Sequence, residues 1–303
     1  MMCLNDCLKT PLIQPFEAPL MLALKITAII LGVLLILCVI WWAVAYKNYQ
    51  ADTHALQAQV LNNTSRHTDA VVDFSTLENL PEPVKRYFYH VLRDGQPYIT
   101  QTRLKQTGAL KVSPTAKNWS SFEALYLAKP NPAAFLWDAK ISLFPGLHIR
   151  VRDSFVHGVG AGHIALLSVL TMGKESNKPA LNSGAFYRYL AEAIWHPTSL
   201  LPESGVVWLP LDQNQAVAHL AAFGLSISLT FRFNATGEII SIYTEDRFGK
   251  FGDHYRQYPW EGSFRHYQTV DGVKIPTEAE VGWHLPEGFW LFWKAKIQQA
   301  TFE

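Results

Sequence analysis

Few side chains in this sequence could do chemistry, and the first of them is Asp153. Leu147, Ile149, Val151, Asp153 and Phe155 recur at period two, so a strand through them turns one carboxylate toward an otherwise apolar face. A carboxylate so placed must be protonated or paired with a cation, and its role is then either a structural ion pair or a functional acid. Arg188 and Glu192 stand four residues apart, the spacing of an ion pair on one helix face. They become ligand contacts if that helix lies inside a curved sheet. Tyr187, His196 and Trp260 complete the candidate ligand-binding set. Aromatic residues at this density, with Trp283 and Trp293, fit either a filled core or a wide apolar cavity.

Catalytic and metal signatures are missing. The eleven His include no His-Glu-x-x-His pair, and Cys occurs only at positions 3, 7 and 38, so neither a metal site nor a cofactor is expected. His157 and His163 flank Gly158-Val159-Gly160-Ala161-Gly162, which mimics a phosphate-binding loop. Its spacing is not G-x-G-x-x-G, and the glycines read better as a bent hairpin. No G-x-S-x-G elbow or S-x-x-K occurs, so the catalytic residues, if any, are unknown.

The elements that must hold these residues are mostly strands. Phe135, Trp137, Ala139, Ile141 and Leu143 alternate with polar or smaller partners, as do Leu225, Ile227, Leu229, Phe231 and Phe233. Asp271-Gly272 marks a two-residue hairpin before Val273, Ile275, Thr277, Ala279, Val281 and Trp283. Phe289, Leu291, Trp293, Ala295 and Ile297 form the last strand. The pattern predicts about ten antiparallel strands, each with one buried face. Two helices accompany them. One starts at Leu80-Pro81-Glu82-Pro83, with Val84, Tyr87, Phe88, Val91 and Leu92 in one stripe, and the other covers Ser183 to Trp195.

Upstream, Ile26 to Ala45 is a run of 20 residues with no charge, long enough for one bilayer crossing. Ala43-Val44-Ala45 also has the small-x-small form of a signal-peptidase site. The length of the core and the Trp41-Trp42 pair favour an uncleaved anchor. Lys9 and Lys25 before the run, against Lys47 behind it, place the N-terminus on the cytoplasmic side, and Met21 would serve as an alternative start. Tyr46 to Leu61 reads as a helical continuation. The expected division is a tail over 1–19, a transmembrane helix or signal anchor over 20–45, a helical stalk and linker over 46–78, and a single antiparallel β domain over 79–303.

Composition agrees with a folded domain that does not bind nucleic acid: 26 basic and 25 acidic residues, no basic cluster, and 49% hydrophobic residues. Residues 79–303 are enough to bury a core without disulfides.

Several stretches resemble, as a set, a bacterial family of unknown function whose members often carry an N-terminal membrane segment. They are Leu80-Pro81-Glu82-Pro83-Val84-Lys85-Arg86-Tyr87-Phe88, Arg188-Tyr189-Leu190-Ala191-Glu192, Pro259-Trp260-Glu261-Gly262 and Ile275-Pro276-Thr277-Glu278-Ala279-Glu280-Val281. That family commonly has an acidic residue where this chain has Ala185, and the resemblance implies no activity. A looser likeness is to periplasmic lipoprotein-carrier half-barrels, through the alternating strands and the stretch from Gly272 to Thr277. It implies a curved antiparallel sheet wrapped around one or two helices.

Three functions follow as expectations. The first is a membrane-tethered domain facing the periplasm or cell exterior that binds a lipid or acyl chain, without enzymatic activity. The second is an envelope scaffold that binds another protein, and the third is a hydrolase with a non-standard acidic site around Asp153 and Arg188. A hollow concave face separates the first from the second.

Overall fold

Two kinds of hydrophobic patterning divide the chain in the computed structural model, which describes residues 17–62 and 70–303. The first is α1 (Glu17–Leu61), whose side chains from Leu20 to Val44 are exposed on every side of the helix. A helix apolar all round is built for lipid or for a protein core, and no core surrounds this one. It holds the one stretch among the described residues long and apolar enough to cross a membrane, a measure that a signal sequence also meets. The chain divides into compact units at 1–48 and 49–303. Most of the tail expected over 1–19, and the linker at 63–69, lie outside the described residues.

In the second unit, α2 (Glu82–Val91) is followed by β1 (Thr102–Leu110), β2 (Ser120–Lys129), β3 (Ala134–Phe144), β4 (Leu147–Val156), β5 (Val159–Leu166) and β6 (Leu170–Ser176). Next come α3 (Pro179–Glu192), β7 (Val206–Pro210), β8 (Gln215–Ala222), β9 (Leu225–Phe233) and β10 (Ile239–Thr244). The chain closes with β11 (Phe248–Phe251), β12 (His254–Gln257), β13 (Trp260–Val270), β14 (Val273–Leu285) and β15 (Gly288–Phe302). Thirteen strands form one antiparallel sheet in the order β6-β5-β4-β3-β2-β1-β15-β14-β13-β10-β9-β8-β7, and β11–β12 is a separate hairpin. The fold is therefore mainly β, a curved antiparallel sheet wrapped around α2 and α3. The turn at Asp271-Gly272 has φ of 49° and 81°, the paired positive values that a tight hairpin between twisted strands requires.

The concave face buries Phe135, Phe155, Leu229, Phe231, Phe233 and Ile275 against Tyr87 and Phe88 of α2 and Phe186 and Leu190 of α3. Gly160 sets the approach of α3. A Cβ there would lie 2.7 Å from the Leu181 carbonyl oxygen, so only glycine lets the helix settle on β5. Pro179 supplies the first turn, and three short 3-10 turns from Ala193 to Ser204 carry the chain from α3 to β7.

Four features differ from the sequence expectations. The sheet system has more than ten strands, because β6, β7, β11 and β12 are too short to show a period. The central helix starts at Pro179 rather than Ser183. One patch of the outer face, on β2 and β3, is buried where one buried face per strand was expected. Leu127, Ala134 and Leu136 are buried there with Val60 of α1, and Arg152 donates to Thr53 Oγ1 at 2.8 Å beneath the Tyr49 ring. The packed unit thus includes residues 49–61, and Val72 and Leu77 join the main core, so its boundary precedes residue 79. The fourth lies in β15, where a bulge opposite Val281/Gly282 reverses the alternation. Phe289 is consequently exposed, whereas Trp290 and Phe292 join Trp293 on the concave side.

Val60→Asp would put a carboxylate into the contact with Leu127, Ala134 and Leu136. It should destabilise the unit by about 3 kcal/mol. Thermal melts of the full chain check this, and a variant melting like the parent would mean that residues 49–61 do not dock.

Candidate functional site

Helix α3 brings a charged face into an aromatic surrounding. Arg188 Nη1 donates to Asp153 Oδ2 at 2.9 Å, and Arg188 Nε donates to Glu192 Oε1 at 2.6 Å. The guanidinium lies 5.1 Å from the Phe135 ring centre and 5.2 Å from that of Trp137. The Arg188 and Glu192 side chains are 17% and 12% exposed. Asp153 keeps 40% exposure although protein surrounds it, because the space it faces is a cavity.

Burial raises the pKa of Asp153, and the Arg188 charge offsets this only in part. Burial likewise raises Glu192 against the pull of Arg188 and Arg247. Arg188 would be lowered by burial alone, but Glu192 and Asp153 together hold it above the ordinary value. Oxygen Oε2 of Glu192 accepts no hydrogen bond of normal geometry. The nearby Tyr126 hydroxyl is aimed at His196 Nε2, 3.4 Å away, yet its pKa, raised mainly by burial, is raised further by the Glu192 charge.

A second cation completes the cluster. Arg247 sits between β10 and β11, with its guanidinium 4.4 Å from the Trp260 ring centre and 4.9 Å from that of Trp283. Its Nε donates to the Gly184 carbonyl at 3.2 Å. Gly184 makes this approach feasible, since a Cβ there would lie 2.7 Å from the Phe248 carbonyl oxygen and push the β11–β12 hairpin off α3. Burial and the Arg188 charge bring the Arg247 pKa down to about 9, with Glu192 and Asp153 opposing.

These groups border a half-enclosed cavity of about 480 Å³ between α3 and the strands β1, β3, β4 and β13 to β15. Its walls include Trp137, Ile141, Ile149, Phe264, Val281 and Trp293, and among the described residues no Ser, Thr, Cys or His lines it. A neighbouring space of about 620 Å³ runs toward β6 and the β11–β12 hairpin and shares Asp153, Arg188 and Arg247 with the first. A groove of about 650 Å³ on the outer face is larger but of another kind. Several of its charges are already paired, Arg265 with Glu278 and Glu280 at 2.9 Å each and Lys296 with Glu278 at 2.7 Å.

Of the sequence candidates, the fold brings Asp153, Arg188, Glu192 and Trp260 to one cavity. Tyr187 and His196 line neither space. Tyr187 is buried in the main core. His196 is fully buried, hydrogen-bonded through Nδ1 to the Ser199 hydroxyl, and burial pushes its pKa down to about 3, so it serves as a neutral core residue. Sequence reasoning missed Arg247, which lies in an irregular link where no period places it. It also missed the outer cluster of Asp138, Arg150 and Arg152, in which Asp138 and Arg152 are buried beside residues 49–61. Among the described residues no group of three or more His, Cys, Asp or Glu side chains is placed to hold a metal ion.

The profile of a family of unknown function, DUF6920, matches residues 78–302. The chain belongs to this family. The match spans both helices of the concavity and all fifteen strands, so every residue of the charged cluster belongs to the DUF6920 region. No curated protein matches the chain. Solved structures similar to it include one described as an outer membrane lipoprotein-sorting protein domain from Vibrio parahaemolyticus. That likeness has 10% identity and a TM-score of 0.40, over 75% of this chain and 93% of that one. Another is a LolA superfamily protein from Nitrosomonas europaea, at 10% identity and a TM-score of 0.37, over 73% and 92% of the two chains.

Replacing Arg188 tests the cluster. Arg188→Leu leaves two buried carboxylates without their shared cation and should cost about 3 kcal/mol at neutral pH. Asp153 and Glu192 already have folded pKa values above their unfolded ones, so their contribution to stability is full in acid and is lost as pH rises through the folded values. Without Arg188 both values rise further. The deficit of the variant should therefore be small near pH ~4 and fully developed by pH ~8, measured by denaturant melts. A deficit independent of pH would mean that packing, rather than charge, is lost.

Proposed function

We propose that this DUF6920 chain is a membrane-tethered, non-enzymatic binding domain that holds an apolar ligand, a lipid or acyl chain, in the concavity of its sheet. The observation that supports it is the 480 Å³ cavity with aliphatic and indole walls, whose acids and arginines are gathered in one cluster. Its size lies within the range of about 300 to 1,000 Å³ typical of small-molecule sites, and its composition has the usual form of an apolar wall with few polar groups. The apolar stretch of α1 would keep the domain beside lipid, with the N-terminus on the cytoplasmic side and the domain on the outer side.

Magnitudes favour a long ligand. Burying about sixteen methylenes at roughly 0.8 kcal/mol each gains about 13 kcal/mol, against an association cost of at least about 4 kcal/mol. A short chain would barely bind. Hydrolysis has less support, because both carboxylates already bond Arg188 and no hydroxyl, thiol or imidazole lines the cavity among the described residues.

A second reading, a protein-binding envelope scaffold, draws on β7. This strand ends the sheet, and Val207, Leu209 and the adjoining Leu211 are each more than half exposed. An edge of that kind can accept a strand from a partner.

Native mass spectrometry of the full chain released from detergent, followed by lipid extraction, tests the first reading. A co-purifying lipid lost from a cavity-filling variant such as Ala191→Trp is the expected result. A bare protein that also takes up no fluorescent fatty acid would sink it.

A further inference from the structure

Within the cavity one charged group lacks a partner for most of its donors. Arg247 spends Nε on the Gly184 carbonyl, and among the described residues neither of its Nη nitrogens has a hydrogen-bond acceptor. Arg188, by contrast, bonds two carboxylates. The Arg247 side chain is fixed from both sides, by the indoles of Trp260 and Trp283 and by the close approach of Phe248 to Gly184. A guanidinium held in this way presents a planar fork of donors, the geometry that matches an oxyanion in two parallel hydrogen bonds.

We propose that the Nη groups of Arg247 bind the oxyanion head, a carboxylate or a phosphate monoester, of a single-chain amphiphile whose tail fills the apolar cavity. This rests on the apolar-ligand reading above and adds the chemistry of the head. The charge balance allows it. Asp153, Arg188 and Glu192 carry one net negative charge when fully ionised, but burial favours the protonated form of both acids. Both acids are already bonded to Arg188, and among the described residues neither forms an ion pair with Arg247. Burial and the Arg188 charge depress its pKa, and an anion bound to the fork would raise it again. Lys111 and Lys250 also stand among the lining residues; Lys250 is paired with Glu175 at 2.7 Å. Lys111 adds positive potential at the cavity, whereas the charge of Lys250 is compensated by Glu175.

The test uses the full chain in nanodiscs of neutral phosphatidylcholine, with diazirine-tagged hexadecanoic acid, hexadecyl phosphate and hexadecanol as probes. Crosslinked peptides are quantified by mass spectrometry. The expected result is that both anionic probes label segments lining the cavity at least about tenfold more than the alcohol. Inorganic phosphate alone should compete poorly. Arg247→Met should remove that preference while alcohol labelling stays, which also shows that the variant keeps its cavity, and Arg247→Lys should restore part of it. Equal labelling by acid and alcohol in the parent chain would overturn the assignment of the head while leaving an apolar ligand in place. Labelling of α1 alone by all three probes would instead overturn the apolar-ligand reading itself. Competition by inorganic phosphate as strong as by hexadecyl phosphate would assign the fork to free anions and reject the amphiphile.

Discussion

The sheet has more concave surface than its helices can cover. Thirteen strands at about 4.8 Å spacing run roughly 58 Å along the curve, whereas two helices about 10 Å across cover roughly 20 Å of it. Alpha2 lies against β8, β9 and β14, and α3 against β4, β5, β9 and the β11–β12 hairpin. The first 3-10 turn after α3 meets β14, and the central strands β1, β15 and β13 are left to large side chains. Trp195 shows how one residue fills in. It is 2% exposed, donates through Nε1 to the Pro276 carbonyl at 3.2 Å and packs edge-on against Tyr126. Where such fillers stop, beyond Ala191 and Trp195, the cavity begins.

Placing ionised groups at the edge of that space costs free energy that the cluster recovers only by sharing. One guanidinium serves two carboxylates, and a second is held by indole faces and one backbone carbonyl. A hydrophobic replacement of all four would on general grounds be as stable or more so. The arrangement is therefore hard to explain as a stability device, and donors left open toward a cavity point to use rather than to support. The outer cluster is a useful contrast. There Arg152 meets Thr53, the Tyr49 carbonyl, the Tyr49 ring and His163, and its role in holding residues 49–61 against the sheet accounts for its contacts without a ligand.

How much of this could be read from the sequence depends on whether a local period carries the information. Asp153 could be placed because β4 runs without a bulge from Ile149 to Phe155, so period two survives to the carboxylate. Arg188 and Glu192 followed from helical spacing. The face of Phe289 could not be read, since a single extra residue in β15, between Leu291 and Trp293, reverses the assignment of the residues before it and nothing in Phe289 to Trp293 marks the bulge. Asp138 and Arg152 look like solvent-facing residues, and only the tertiary docking of residues 49–61 buries them. Arg247 has no period around it at all. Its one sequence trace is indirect: Gly184, inside a helix where glycine is costly, marks the place where the Phe248 backbone must come close.

An amphiphile resolves the two halves of the cavity better than a pure hydrocarbon would. A hydrocarbon filling the aromatic side would strip remaining water from Asp153 and Arg247 and return no hydrogen bond, and that desolvation would offset part of the gain from each buried methylene. A ligand with an oxyanion at one end replaces the water at the fork and leaves the tail to collect the burial energy. Selectivity would then come from the head, since the apolar wall discriminates chain length only by about a kcal/mol per methylene. Under the proposed tether, the membrane contributes concentration rather than affinity. A domain held at a bilayer meets lipid at a high effective concentration, so a modest intrinsic affinity would suffice for occupancy, and a modest affinity is also what lets a ligand leave again.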